Sequence, residues 1–448
     1  MADKILCPYA LGAINYKSGF VTSCPQQSDH LHNYADTHVI KPSEIINSEK
    51  FKEHRKELMS GVWSTGCHLC QEAEAVGAKS MRQDYDTMPE LAFDLDLYNE
   101  ETGEIDFKSV KHIELRFSNS CNMACLHCSD VYSSGWMSKL KNYTSTREDK
   151  DHKLIQLTRE FHKKSKDEDL SISISIDEME TIVDDLNTHF PNIIKIDFAG
   201  GEVLYQKQFF PCLRKLANHP NVENIALTFH SNFNARFDPE ELSRLLQPFK
   251  KAVIHMSLDA GKNIYSYFRT GDWDVLKNNV DRFRAIDKKA ELDIVCTTSV
   301  YQIMDIVNVF ESFMELDVDI ISSSIVYTPR YLNPALMVLK FEEHVREDLI
   351  KARNAILNEQ KKRLDNLDKY KHKRSWDPHR REFSELRRAL QALDDIENYI
   401  FKHTPKESEW DAFMVYIRKT DEIWKQSFND HMVNYKYING QVERVSNV

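Results

Sequence analysis

The chain has 448 residues, 41% of them hydrophobic, and a formal charge of -11, which is enough length and apolar content for two or three domains with filled cores. The acidic balance disfavours an extended nucleic-acid-binding surface, and no apolar run approaches the roughly 18 residues of a membrane helix. The opening segment MADKILCPYALG lacks the basic-then-apolar order of a signal peptide, so the expected setting is the cytoplasm, where the nine cysteines point to metal or redox chemistry rather than a disulfide framework.

Residues 1–95 read as short, irregular and cysteine-bearing. The segment CPYALGAINYKSGFVTSC holds Cys7, Gly19 and Cys24, and CHLC further on holds Cys67 and Cys70. Four thiols in this arrangement suit either structural zinc or a fully ligated [4Fe–4S] cluster, and spacing alone tilts slightly toward zinc. The histidines of SDHLHNYADTH are read as a polar loop.

From about 108 to 335 the pattern alternates. Apolar, β-branched runs occur at HIELRFSNS, IIKIDFAGG, NIALTFHSN, AVIHMSLDA, ELDIVCTTS and DIISSSIVYT, with amphipathic helical patterns between them, such as IDEMETIVDDLNTHF and WDVLKNNVDRFRAI. Six strands separated by five helices predict consecutive βα units and a parallel sheet, either open and doubly wound or a partial barrel. In both, chemistry gathers at the C-terminal ends of the strands. That rule selects Cys121, Cys125 and Cys128 after the first strand, Gly200, Gly201 and Glu202 after the second, His230, Ser231 and Asn232 at the third, and Ser257 and Asp259 at the fourth.

The segment SNSCNMACLHCSD is the most informative. Soft thiolates this close select zinc or iron–sulfur chemistry. His127 is a conceivable fourth zinc ligand, but it adjoins Cys128 and is expected to point elsewhere. A three-cysteine loop instead suits a [4Fe–4S] cube, binding three irons and leaving the fourth open.

Cys-x3-Cys-x2-Cys after the first strand of a βα repeat resembles the radical S-adenosylmethionine (radical SAM) superfamily. The resemblance spans roughly 108–335 and implies a six-stranded (βα)6 partial TIM barrel. In that family the open iron chelates S-adenosylmethionine, and reductive cleavage gives a 5′-deoxyadenosyl radical that abstracts hydrogen from substrate. FAGGEVL at 198–204 is similar to the family's Gly-Gly-Glu element, which binds the cofactor's amino group; glycines admit close backbone approach and Glu202 can accept from an ammonium. The resemblance extends to HSN at 230–232 (Ser231, Asn232), to MSLDA at 256–260 (Ser257, Asp259) and to Arg269, a candidate for the methionine carboxylate. His127 departs from the aromatic residue many members carry there; a planar imidazole can pack similarly against adenine.

Cys-x11-Gly-x4-Cys followed by Cys-x2-Cys is likewise similar to the twitch domain, the short form of the SPASM domain, which holds an auxiliary [4Fe–4S] cluster. With that resemblance the N-terminal quartet reads as iron–sulfur ahead of zinc, with Gly19 permitting a tight hairpin. The twitch domain normally follows the barrel, whereas here the motif precedes it. The implied partners are S-adenosylmethionine, a reductant such as a flavodoxin or ferredoxin and, by analogy with enzymes bearing such domains, a peptide or protein substrate. The implied activity is of oxidoreductase or transferase type, without assignment of a general base or hydrogen donor.

Residues 336–448 read as long charged helices, taken as a solvated extension, and the charged insert at 141–169 as a surface insertion. Cys212 and Cys296 fall in apolar patterns expected to be buried. Two rivals remain on sequence alone, a non-catalytic iron–sulfur carrier or sensor and a zinc-stabilised binding protein for a partner such as RNA, together with a milder variant, a radical SAM enzyme acting on a nucleotide or RNA.

Overall fold

A computed structural model describes residues 4–445 apart from 18, 28–29, 76, 78, 84–87, 131 and 146–172. Most of the charged insert therefore lies outside the described residues. The fold is α/β, built on parallel strands. β1 (Ala13–Lys17), β2 (Phe20–Thr22) and β3 (His32–Asn33) precede every strand expected from the sequence. Each of the six apolar runs then forms a strand: β4 (His112–Leu115), β5 (Lys195–Phe198), β6 (Ala226–Ser231), β7 (Lys251–Ser257), β8 (Glu291–Thr298) and β9 (Ile320–Ile325).

The chain divides into two compact units, the first holding 1–119, 169–229 and 240–253, and the second 120–168, 230–239 and 254–448. β6 and β7 each begin in the first and end in the second.

In the first unit the strand order is β3-β2-β1-β4-β5-β6. β1 runs parallel to β4, with Ala13 opposite His112 and Tyr16 opposite Leu115, while β2 and β3 add antiparallel at the edge. β4, β5 and β6 are parallel, pairing Ile113 with Ile196 and Ile196 with Leu227. β4 is buried along its whole length, as befits a strand covered on both faces. β5 alternates, with Ile196 and Phe198 buried, and Phe209 meets Phe198 and Phe229 edge-on at 5.2 and 5.1 Å. The other face of β5 is polar: the Asp197 carboxylate accepts from His112 Nε2 at 2.7 Å and pairs with Lys195. Although burial opposes its charge, His112 and Lys195 beside it hold the Asp197 carboxyl well below the usual carboxylate range. The helix Ile176–His189 starts on a capping box, in which the Ser175 hydroxyl accepts from Glu178 N and the Glu178 carboxylate from Ser175 N, satisfying two otherwise orphaned donors.

In the second unit β8 and β9 pair in parallel over Asp293–Thr298 and Ile320–Ile325. The helix Trp273–Ile286 is capped by Asp272, whose carboxylate accepts from Asp274 N and Val275 N. Downstream come the helices Leu336–Asp365, Ser384–Lys402 and Glu407–Trp424. They are not a solvated appendage: Phe413, Ile417 and Tyr416 are at most 1% exposed. Arg363 and Glu385, also buried, form an ion pair between the first two of these helices. Among the described residues no helix is long and apolar enough to cross a membrane.

Asp305, just before the helix Ile306–Met314, carries a testable consequence. Its Oδ2 is buried without a hydrogen-bond partner, and burial, helped by the Glu311 charge, pushes the carboxyl from 3.8 up to about 7. A carboxyl raised by folding contributes stability below its unfolded pKa and loses that contribution as pH rises through the folded value. The urea midpoint is therefore expected to carry a decline between pH 4 and 7. Asp305→Asn should flatten it and raise stability at pH 7 by on the order of 2 kcal/mol. An unchanged slope in the variant would clear Asp305 of the effect.

Candidate functional site

The three-cysteine loop belongs to the second unit. Cys121, Cys125 and Cys128 are all free thiols, with Cys125 buried and the other two partly exposed. The backbone around them is fixed at close quarters. Cys121 N donates to Ser134 Oγ at 3.1 Å, and Ser133 Oγ donates to the Met123 carbonyl at 2.6 Å. At Gly135 a Cβ would stand 2.6 Å from that carbonyl, so only glycine fits there. Ala124 N donates to Thr270 Oγ1 and Leu126 N to the Phe268 carbonyl, both at 2.8 Å.

The opposite edge of the same segment is held as well. Trp424 Nε1 donates to the Ala124 carbonyl and Trp136 Nε1 to the Cys125 carbonyl, each at 2.9 Å. The Tyr416 hydroxyl donates to the Leu126 carbonyl. Trp136 and Trp424 meet edge to face at 4.7 Å.

Arg269 closes the helix Tyr265–Arg269 and is 5% exposed. Its Nη1 pairs with Asp259 Oδ2, while Asp259 Oδ1 accepts from Thr297 N at 2.7 Å. The guanidinium Nε is buried with no hydrogen-bond partner. Burial opposes the guanidinium charge, yet the Cys125 sulfur and Asp259 beside it outweigh burial and hold Arg269 firmly protonated. The Cys125 sulfur lies 3.5 Å from the Arg269 carbonyl. His127 stacks on Phe268 at 5.0 Å and places Nε2 3.4 Å from Asp259 Oδ2; burial lowers its pKa. Burial also pushes Cys128 up to about 12 and raises Cys125 further, so these thiols ionise only when a cation takes up their charge.

Asn232 is buried and donates from Nδ2 to Asn122 Oδ1 at 2.8 Å, bringing a residue of the cysteine loop against the end of β6. Ser231 Oγ accepts from Phe233 N at 2.9 Å, supporting the turn in which Phe233 takes φ 54°. Ser257 ends β7, half-buried.

Gly200, Gly201 and Glu202 belong to the first unit. Both glycines have positive φ, 84° and 53°, and a Cβ on Gly200 would come within 3.1 Å of the Ser118 carbonyl. The Gln206 amide ties this turn together by donating to the Gly200 and Ser118 carbonyls at 2.7 and 3.1 Å. Glu202 is buried, and its Oε1 accepts from Leu204 N at 3.0 Å, capping the short turn Val203–Tyr205.

Cys7, Cys24, Cys67 and Cys70 line one cavity of the first unit, shared with Trp63 and Arg82. Cys7 and Cys24 pack on Tyr9, Ala13 and Leu91, and Gly19, at φ 83°, lies between the two cysteines in the chain. Neither cysteine is fully buried by surface area, yet the density of surrounding protein pushes Cys7 up to about 11 and Cys24 up to about 12. Arg82 supplies a cation at this cavity, held by Glu74 (Nε to Oε1 2.6 Å) and by the Leu6 carbonyl at 2.9 Å.

Among the described residues no three His, Cys, Asp or Glu side chains converge as they would on a single metal ion. A lone tetrahedral zinc needs its ligand atoms within about 2.0–2.3 Å of one point. A cluster takes one thiolate per iron and has no such requirement. The donor set of the three-cysteine loop, all sulfur with His127 committed to Phe268 and Asp259, is compatible with an iron–sulfur cluster that takes one thiolate per iron.

Sequence reasoning missed Trp136, Tyr416, Trp424 and Asn122. For the helix Glu407–Trp424 the available signal was the apolar spacing of Trp410, Phe413, Ile417 and Trp424, which marks one face for burial.

No family model and no curated protein matches the sequence. Solved structures with partial likeness include native anSMEcpe with bound AdoMet, at 15% identity over 57% of this chain and 61% of that one, TM-score 0.36. Another is Streptococcus suis SuiB bound to S-adenosylmethionine, at 15% identity over 63% and 56%, TM-score 0.32. A third is the radical S-adenosylmethionine methyltransferase TsrM from Kitasatospora setae, with cobalamin and a [4Fe-4S] cluster, at 13% identity over 35% and 30%, TM-score 0.26. The likeness to the first of these spans about three fifths of its length.

Proposed function

We propose that the chain is a radical SAM enzyme on a six-stranded partial barrel. The cluster is held by Cys121, Cys125 and Cys128, and a second, auxiliary cluster by Cys7, Cys24, Cys67 and Cys70. The observation that carries this reading is the loop itself: three free thiols on a backbone anchored along both edges, beside a buried arginine whose Nε still has a hydrogen to donate. Bound at such a loop, a [4Fe–4S] cluster with S-adenosylmethionine supplies reductive carbon–sulfur cleavage to methionine and a 5′-deoxyadenosyl radical.

The chain's own residues have narrower tasks. Asp259 orients Arg269, leaving part of the guanidinium fork to receive a carboxylate. Asn122 and Asn232 hold each other, presenting amide groups at the end of β6. Burial of Cys125 keeps water from its sulfur. Gly200, Gly201, Glu202, Ser231 and Ser257 are assigned to the cofactor on the sequence motif. The proposed substrate is a peptide or protein, with the electron delivered by a flavodoxin- or ferredoxin-like reductant.

The test is anaerobic incubation of iron-loaded protein with S-adenosylmethionine and dithionite. The expected product is 5′-deoxyadenosine. Its absence from protein with verified cluster content would overturn the assignment in favour of a non-catalytic iron–sulfur protein.

A further inference from the structure

Three consecutive carbonyls of the cysteine loop, those of Ala124, Cys125 and Leu126, each accept from a different buried side chain: Trp424, Trp136 and Tyr416. Two of these donors come from the single helix Glu407–Trp424, about 300 residues downstream; the separations are 300 residues for Trp424 and 290 for Tyr416. That helix is itself tied to the segment on the other edge of the loop. Asp421 Oδ1 accepts from the Tyr267 hydroxyl at 2.9 Å, and Gln426, just beyond the helix, donates to the Tyr267 carbonyl at 3.2 Å. Phe268 and Thr270, the neighbours of Tyr267 and Arg269, receive the loop's N–H groups. The Tyr416 ring packs on Tyr331 at 4.9 Å and the Trp424 ring on Trp136 at 4.7 Å, so both donors are packed aromatic side chains.

We infer that Tyr416 and Trp424 are positioning residues for the cluster, acting through the backbone of 124–126, and that the C-terminal helix is a working part of the cofactor site. The inference rests on the proposed radical SAM reading. The chemistry follows from the geometry. An iron-bound thiolate is sensitive to how its backbone is held and hydrogen-bonded, and Cys125 lies in the middle of the anchored segment. A carbonyl deprived of a buried donor seeks another partner, and the loop shifts to provide one. Ordinary core packing needs only the apolar bulk of the two rings. Fixing the loop needs their polar atoms.

The experiment uses full-length, iron-loaded protein carrying Tyr416→Phe, which removes a single oxygen, and Trp424→Phe, which keeps an aromatic ring. Thermal melting and circular dichroism report folding. The readouts are the change in the electron paramagnetic resonance signal of the reduced cluster on adding S-adenosylmethionine, and the binding of S-adenosylmethionine by equilibrium dialysis. Folded variants with an altered signal and about tenfold weaker binding per lost donor are the expected result. A parent protein that responds to S-adenosylmethionine, with both variants matching it in signal and binding within twofold, would overturn the positioning role and leave the enzyme assignment standing. A parent protein with no S-adenosylmethionine-dependent signal would overturn the assignment and this inference with it.

Discussion

Cys125→Ala is expected to abolish 5′-deoxyadenosine formation and to lower bound iron by about half, since one of two proposed four-iron sites is lost. Cys125 is the buried member of the loop, with its carbonyl held by Trp136 and its sulfur against the Arg269 carbonyl. Cys7→Ala should remove the other half of the iron while leaving cleavage of S-adenosylmethionine intact, although turnover of substrate falls. Cys212→Ala and Cys296→Ala serve as controls. Both thiols are buried, so each loses a little core packing, about 1 kcal/mol, with no effect on iron. The decisive measurements are iron content per chain and nucleoside product by chromatography. Cleavage activity surviving in Cys125→Ala would place the reaction elsewhere.

What the sequence made legible follows from how local each signal is. A run such as IIKIDF is legible because apolar Ile196 and Phe198 alternate with Lys195 and Asp197, the period of a strand with one buried face, and the cysteine spacing is complete within eight residues. The pairing of β1 with β4 was not legible: β1 has 5 residues and β2 has 3, too few for a period to stand out. Nothing local marks the register that sets Ala13 against His112. The helix Glu407–Trp424 was misread because its charges dominate a linear count, although its apolar residues fall on one face. Its contact with Ala124 and Leu126 joins positions about 300 apart, a relation that no window along the chain contains. Arg269 and Asp259 were both selected as ligands from their motifs. That they also bind each other is a fact of tertiary geometry.

That pair yields the second large effect. Arg269→Met should destabilise the folded protein by about 3–5 kcal/mol. Methionine keeps the aliphatic stem of the side chain, but Asp259, 1% exposed, loses its guanidinium partner and keeps the Thr297 N–H. A buried carboxylate without its cation is the main cost; the lost packing is minor. The double variant Arg269→Met with Asp259→Asn removes the uncompensated charge, and it should recover most of the lost stability in urea unfolding, giving a coupling energy well above experimental error. Recovery separates structure from function. Under the proposed reading the refolded double variant still lacks the cation that receives the cofactor's carboxylate, so it should load iron normally yet bind S-adenosylmethionine at least about tenfold more weakly. Equal stability of the single and double variants would show that the ion pair does not hold the 259–269 segment. Undiminished S-adenosylmethionine binding in a stable double variant would remove Arg269 from the cofactor site and confine it to a structural role.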